Sequence, residues 1–287
     1  MLTLLFDGIA YGMLLFILAV GLAVTMGLMN FINLAHGAFA MAGGYVTVLL
    51  MDRAGLPFLW TLPLAFLLPA LLGAVLERTL YRRMYARSHL DQVLFSIGLV
   101  FMAVAAVDYL VGSQQQIIKL PTWLQGRFDI EWVGIGKYRL FIVAVCAALT
   151  LALQYVLSRT RFGSRLRAAV DDPRVAAGLG INVSQVFTLT FAVGSGLAGL
   201  GGAMGAEVLG LDPSFPLKFM IYFLIVVSVG GTTTITGPLL AALLLGIADV
   251  AGKYYVPQLG AFIVYTLMIV ILLVRPQGLF ARAGGGR

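Results

Sequence analysis

Residues 8–51 read GIAYGMLLFILAVGLAVTMGLMNFINLAHGAFAMAGGYVTVLLM, without one Asp, Glu, Lys or Arg among them. A helix crossing the hydrocarbon core of a bilayer needs about 20 residues, so this block holds two spans. It has to break in its middle, between Gly27 and Gly37, where two Asn, one His and two Gly interrupt the apolar run without adding a charge. Non-helical backbone at membrane depth survives only if protein buries it or a wet cavity receives it, because lipid offers no hydrogen-bond partner. The break is therefore either a short turn at the membrane surface or, as at the interrupted helices of transport proteins, part of a polar passage. Asn30, Asn33, His36 and Gly37 are the residues that would line such a passage.

The rest of the chain agrees with a bilayer as its main solvent. Of 287 residues, 61% are hydrophobic and 11% charged, where soluble domains carry about 25% charged residues. The apolar runs are long and continuous, which selects helices over the alternating strands of a membrane barrel. Further spans fall at residues 54–76, 92–111, 140–158, 184–207 and 256–274. Residues 219–250 hold two more, interrupted at Gly230–Pro238, where Thr232, Thr233, Thr234 and Gly237 form a second uncharged polar break. The fold expected is a single all-α polytopic domain over 1–287, with about nine transmembrane helices (bounds eight to ten) and a long polar loop at 112–139.

Charge sets the expected orientation. The loops at 77–91 and 158–183 and the tail from Arg275 carry twelve Lys and Arg; the alternate loops carry seven, offset by Asp52, Asp129, Glu131, Glu207, Asp212 and Asp249. The positive-inside rule then puts the N-terminus outside and the C-terminus inside. Trp60, Trp123 and Trp132 all fall on the outer side, where an interfacial aromatic belt belongs. The net charge of +7 is carried at span ends and is no nucleic-acid signature. No basic residue precedes the first apolar run, so that run is expected to be a span and not a cleaved leader. Cys146 is the single cysteine and lies within an apolar run, a packing position that excludes an internal disulfide. Two histidines, His36 and His89, without a Cys/His cluster imply no metal site.

Two internal stretches stand out. Arg159–Ile181 is a polar island holding Arg159, Arg161, Arg165, Arg167 and Arg174. Asp172 suits an N-cap and Pro173 a first helical position, while Gly178 and Gly180 are ready stops. Two short helices joined at Asp171-Asp172 are predicted, either a solvated basic loop or a rigid knob that another protein grips. In the sixth span Gly194, Ala198, Gly202 and Ala206 recur every four residues, with Ser195, Gly199 and Ala203 beside them. Small residues at this spacing let helices approach closely. A nucleophilic Ser195 would need a base, and the only histidines are His36 and His89. Asp108, Glu207 and Asp249 sit near outer span ends and no acid is expected mid-span, so the energy for any transport should enter from outside the chain. The sequence has no phosphate-binding G-x-x-x-x-G-K-[ST] loop of its own.

Three stretches carry a family resemblance: Met26–Gly37 with Gly43-Gly44-Tyr45; Thr160-Arg161-Phe162-Gly163 through Arg167-Ala168, Asp171-Asp172, Ala176 and Gly180-Ile181; and Gly230-Gly231 through Gly237-Pro238, closed by Arg275-Pro276-Gln277-Gly278. On these the chain resembles, over its whole length, the permease subunits of ATP-binding-cassette importers for branched-chain (hydrophobic) amino acids, the shorter of two permease types. The resemblance implies that 159–183 is a cytoplasmic coupling-helix region acting through Arg161, Gly163, Arg165, Arg167, Ala168, Asp171, Asp172, Pro173, Ala176 and Gly180. It implies a periplasmic loop at 112–139, and packing at Gly194, Ala198, Gly199 and Gly202. It implies a second, homologous permease completing a heterodimer, two cytoplasmic ATPases that bind ATP and magnesium, a periplasmic substrate-binding protein, and a place in the bacterial inner membrane. This chain would bind no cofactor or metal and would be no enzyme. The family's substrates extend from leucine-like amino acids to urea, amides and small carboxylates. Gly230-Gly231-Thr232-Thr233-Thr234 departs from the family's more usual Gly-Gly-x-Gly-Ser, adding β-branched stiffness. A stand-alone carrier or membrane enzyme is weighed against by the missing mid-span acids and metal ligands.

Overall fold

The computed structural model describes residues 1–29, 31–130, 133–231, 234–276 and 278–279. Six of the described helices are long and apolar enough to cross a membrane. These are α1 (Leu2–Leu28), α3 (Phe58–Leu76) with its continuation, α5 (His89–Val111), α6 (Lys137–Arg159), α9 (Val183–Leu209) and α11 (Thr236–Tyr255). Two shorter apolar helices accompany them, α10 (Phe215–Gly230) and the body of α12 (Gly260–Val274). α2 (His36–Ala54) has 19 residues and carries Asp52 and Arg53 in its last turn. The molecule is a polytopic helical membrane protein.

Two features differ from the sequence reading. The third helix does not stop at Leu76. It continues through a π-helical turn, Glu77–Tyr81, into α4 (Arg82–Met84), leaving only residues 85–88 as a loop. The charges Glu77, Arg78 and Arg82 suggested a loop there, but Glu77 is fully buried with partners, which removes the reason to leave the helix. The 112–139 segment, read only as a long polar loop, contains a 3-10 turn at Thr122–Leu124 and an antiparallel hairpin. Its strands are β1 (Arg127–Ile130) and β2 (Val133–Gly136), with Arg127 opposite Gly136.

α9 is the central rod, packed against α1, α2 and α3. Its small residues are buried and lie against backbone: Gly194 against Gly21 of α1, Gly202 against Ala40 of α2, and Gly199 between Gly43 of α2 and Ala65 and Pro69 of α3. Ala198 is fully buried. Lipid tails are as apolar as leucine, so helices here associate through close contact rather than exclusion of water. Gly8 and Gly12 of α1 approach α11 at Ile247 and at Ala242 and Leu243, and Gly246 returns the contact.

Loops gather at two opposite ends. At one, the Gln116 N–H bonds Leu211 O at 2.7 Å and Arg139 pairs with Asp7. At the other, residues 31–34 meet the start of α5, and the Leu279 N–H bonds Val229 O at 2.8 Å. α7 (Arg161–Asp171) and α8 (Pro173–Gly178), the two short helices of the polar island, belong to this second end.

Candidate translocation and coupling elements

The break in the first apolar block is a re-entrant segment. α1 ends at Leu28, and eight residues later His36 is back beside Leu18, its Nε2 2.9 Å from the Leu18 carbonyl. The intervening backbone therefore turns back along α1 with few helical bonds, and side chains of α5 accept from two of its N–H groups. The Ile32 N–H donates to Gln92 Oε1 at 3.3 Å and the Leu34 N–H to Ser96 Oγ at 3.2 Å. Gln92 also donates to the carbonyls of Met84 and Arg87, so one buried amide serves three segments. Asn33 is 1% exposed and its Oδ1 accepts from Tyr81 Oη at 3.1 Å. Gly37 packs on Pro216 at the start of α10. Of the two expectations, the geometry favours a segment enclosed by protein over a bare turn. The segment is buried in protein, one of the two surroundings in which such backbone is stable. Asn30 lies outside the described residues.

Tyr81 belongs to the π-turn, and that turn holds a buried acid. Glu77 accepts from Thr188 Oγ1 of α9 at 2.5 Å and from Tyr85 Oη at 3.1 Å, with Arg82 at 3.5 Å. Arg82 also donates to Thr188 at 3.3 Å. Sequence reasoning assigned Glu77 to a solvated loop and missed this cluster. The available signal was an acid five and six residues ahead of Arg82 and Arg83, a mixture of charges equally at home in a solvated loop.

At the second break, Thr234 is exposed and its Oγ1 accepts the Gly237 N–H at 3.3 Å. Gly237 is buried. Gly230 packs on the backbone of Gly237 and Pro238, and Gly231 ends α10 with φ +79°. Gly278 lies beside Gly231 and the Leu279 N–H bonds Val229 O, so these two residues beyond α12 meet the end of α10. Thr232 and Thr233 lie outside the described residues.

The polar island forms the two helices predicted for it. Asp172 Oδ1 accepts the N–H groups of Arg174 at 2.9 Å and Val175 at 3.0 Å, and Pro173 occupies the first turn of α8. Gly180 ends α8 with φ +81°, and the Ile181 N–H bonds the Ala176 carbonyl at 3.0 Å, a glycine C-cap. Thr160 caps α7, and Gly163 sits where any Cβ would overlap the backbone of Leu157, so α7 folds sharply back on the last turn of α6. A small core of Leu166, Ala169, Ala176 and Val186 fastens both helices to the base of α9.

The expected coupling residues thus divide. Gly163, Ala168 and Ala176 face inward; Arg161, Arg165, Asp171, Asp172, Pro173 and Gly180 are exposed. Arg167 is exposed but its guanidinium donates to the Leu157 carbonyl, closing the end of α6. Val175 and Leu179, 58% and 75% exposed, give the tip an apolar face that sequence reasoning did not single out.

A family model described as "Branched-chain amino acid transport system / permease component" matches residues 4–272. The chain is 28% identical to the high-affinity branched-chain amino acid transport system permease protein BraD of Pseudomonas aeruginosa, over 97% of this chain and 95% of that protein. It is 27% identical to LivH of Escherichia coli K12, over 97% and 94%. LivM of the same bacterium is 26% identical over 93% of this chain but only 68% of its own longer length. No solved structure matches. The family model covers nearly the whole chain, and the chain belongs to the branched-chain amino acid permease family, with the length of its shorter, LivH-like type.

Proposed function

We propose that this chain is one permease half of an ATP-driven importer of branched-chain or closely related amino acids. In this reading it lies in the bacterial inner membrane with nine spans, N-terminus outside and C-terminus inside. The 112–139 loop is periplasmic and 159–183 cytoplasmic. A longer, homologous permease completes the passage, a soluble binding protein delivers substrate, and two ATPases hold ATP and magnesium. The chain itself binds no cofactor and catalyses no reaction.

The observation that carries the reading is the α7–α8 knob. It is capped at Thr160 and Asp172, locked to α6 through Gly163 and Arg167, and pinned to α9 through Leu166 and Val186. It still leaves Arg165, Arg174, Val175 and Leu179 uncovered. A solvated loop needs no such bracing, whereas a lever must be stiff to transmit a push. ATP binding would close the ATPase pair around the knob and drive α9, the central rod, between two packings, biasing a two-state element. Glu77 and Thr188 couple α9 to α3, and Tyr81 couples that turn to Asn33. The re-entrant residues Asn33, His36 and Gly37, with Thr234 and Gly237, would then act as a gate moved by the lever.

The test is affinity purification in mild detergent followed by reconstitution into vesicles. Co-purification of a second permease and an ATPase, with ATP-dependent leucine uptake once the soluble binding protein is added, is expected. Uptake that proceeds without any ATPase would overturn the proposal.

A further inference from the structure

A cavity of about 400 Å³ opens between α1, α6, α9, α10 and α11 at the end opposite the knob. Sites of roughly 300–1,000 Å³ suit small molecules. Five charged residues stand in its wall: Asp7, Arg139, Lys218, Asp249 and Lys253. Val208, Leu209 and Phe219 supply accessible apolar surface beside them. The charges pair as Arg139 with Asp7, Lys253 with Asp249 at 2.6 Å, and Lys218 with Asp212 just outside the cavity. Burial acts to raise the Asp212 pKa, but hydrogen bonds from Lys218 and Ser214 outweigh it and hold this carboxylate below its usual range, so the third pair persists at neutral pH.

Two of these acids keep unused capacity. Asp249 is 2% exposed and its Oδ1 accepts no hydrogen bond from any described residue; the same holds for the buried Oδ1 of Asp7. A buried carboxylate oxygen without a donor is unfavourable, and a primary ammonium brings three donors. On the opposite sign, Arg139 carries five N–H donors, and Lys218 is 55% exposed and can swing inward.

We propose that this cavity receives an amino-acid zwitterion: the ammonium at Asp249 and Asp7, the carboxylate at Arg139 and Lys218, the aliphatic side chain on Val208, Leu209 and Phe219. The proposal rests on the importer reading above and gives its substrate a site in this chain. With Asp212 included, the wall balances three cations against three acids. Urea or an amide needs neither sign, and a simple carboxylate needs an excess of cations. A zwitterion needs both, and its arrival exchanges internal ion pairs for external ones without leaving a buried charge unpaired. The charged headgroup of phosphatidylethanolamine offers the same two signs, and the measurement has to separate it from a free amino acid.

Saturation-transfer NMR reads weak binding and suits the detergent-purified complex without its soluble binding protein. The probes are L-leucine, 4-methylpentanoate (leucine without its amino group) and isopentylamine (without its carboxylate). Transfer to the leucine methyls is expected, at least fivefold weaker for both half-charged analogues and undiminished by short-chain phosphatidylethanolamine. Asp249→Asn is expected to lower it at least fivefold, with Asp249→Glu restoring part. Equal transfer from the analogues, displacement by the lipid, or a wild-type signal in Asp249→Asn would each overturn the site. The analogue comparison on wild-type protein decides the matter if Asp249→Asn does not assemble. Leucine uptake into vesicles is scored in parallel: uptake with no variant-sensitive binding removes only this site, whereas absence of amino-acid uptake removes the importer reading beneath it.

Discussion

At the scale of single residues, the polar groups that matter replace backbone partners that a helix would otherwise supply. Gln92 is the strongest case, because it serves Ile32, Met84 and Arg87 at once. Gln92→Leu leaves the part-buried Ile32 N–H without its acceptor, a loss of about 1–3 kcal/mol. A lower thermal midpoint of the purified complex is expected, together with reduced uptake at equal expression. An unchanged midpoint would mean that the re-entrant backbone finds another acceptor. Asp172→Ala is a milder change. A lost N-cap costs about 1 kcal/mol, little for a protein of this size, but Asp172 also sets the angle between α7 and α8. ATPase stimulation and uptake should fall together while membrane insertion stays normal. Wild-type coupling in reconstituted vesicles would return residues 159–183 to a plain basic loop. Asp172 was legible in advance because Asp-Pro-x-x is a local signal. Gln92 was not, since the N–H it accepts from belongs to Ile32, 60 residues away.

At the scale of elements, spacing revealed the face of α9 but not its neighbours. Every fourth residue from Gly194 is small, and the structure shows that the face meets α1, α2 and α3 together. Gly202 lies against the Ala40 carbonyl, where even a methyl group has no room. Gly202→Leu should therefore force α2 away from α9; overpacking costs typically 1–3 kcal/mol, and backbone contact puts this site at the upper end. Sharply lower yield of the assembled complex is the expected result, measured against Val193→Leu at a partly exposed position of the same helix. Equal yields would put the Gly202 face in lipid. The π-turn at Glu77–Tyr81 and the hairpin at 127–136 were hidden for a physical reason. A charge within an apolar helix is stable only with partners from other elements, Thr188 here, and four-residue strands carry too little periodicity to be read.

At the scale of the whole molecule, two breaks in uncharged blocks, at residues 29–35 and 231–235, lie at one end of the bundle with the knob. The block 8–51 was legible as two helices because charge is absent over a length that one helix cannot use. That the segment between them re-enters was not, because its support comes from α5 and α3. The end that holds the knob carries most of the arginines, and the positive-inside rule is what supports the cytoplasmic side proposed for it above. Cys146 is fully buried, so new surface cysteines can be labelled against a low background. Ala86, Ser164 and Ser113 are exposed and none is packed in the core. Ala86 is preferable to Ser88, whose hydroxyl caps α5 through Asp91. In intact cells a membrane-impermeant maleimide should modify Ser113→Cys and leave Ala86→Cys and Ser164→Cys untouched until the membrane is opened. The three positions test different loops, so their pattern is informative in detail. Labelling of all three from outside at once would remove the inside assignment of the knob. Labelling of Ser164→Cys alone would mean an odd number of crossings between Ala86 and Ser164, which α5 and α6 as two full spans do not allow.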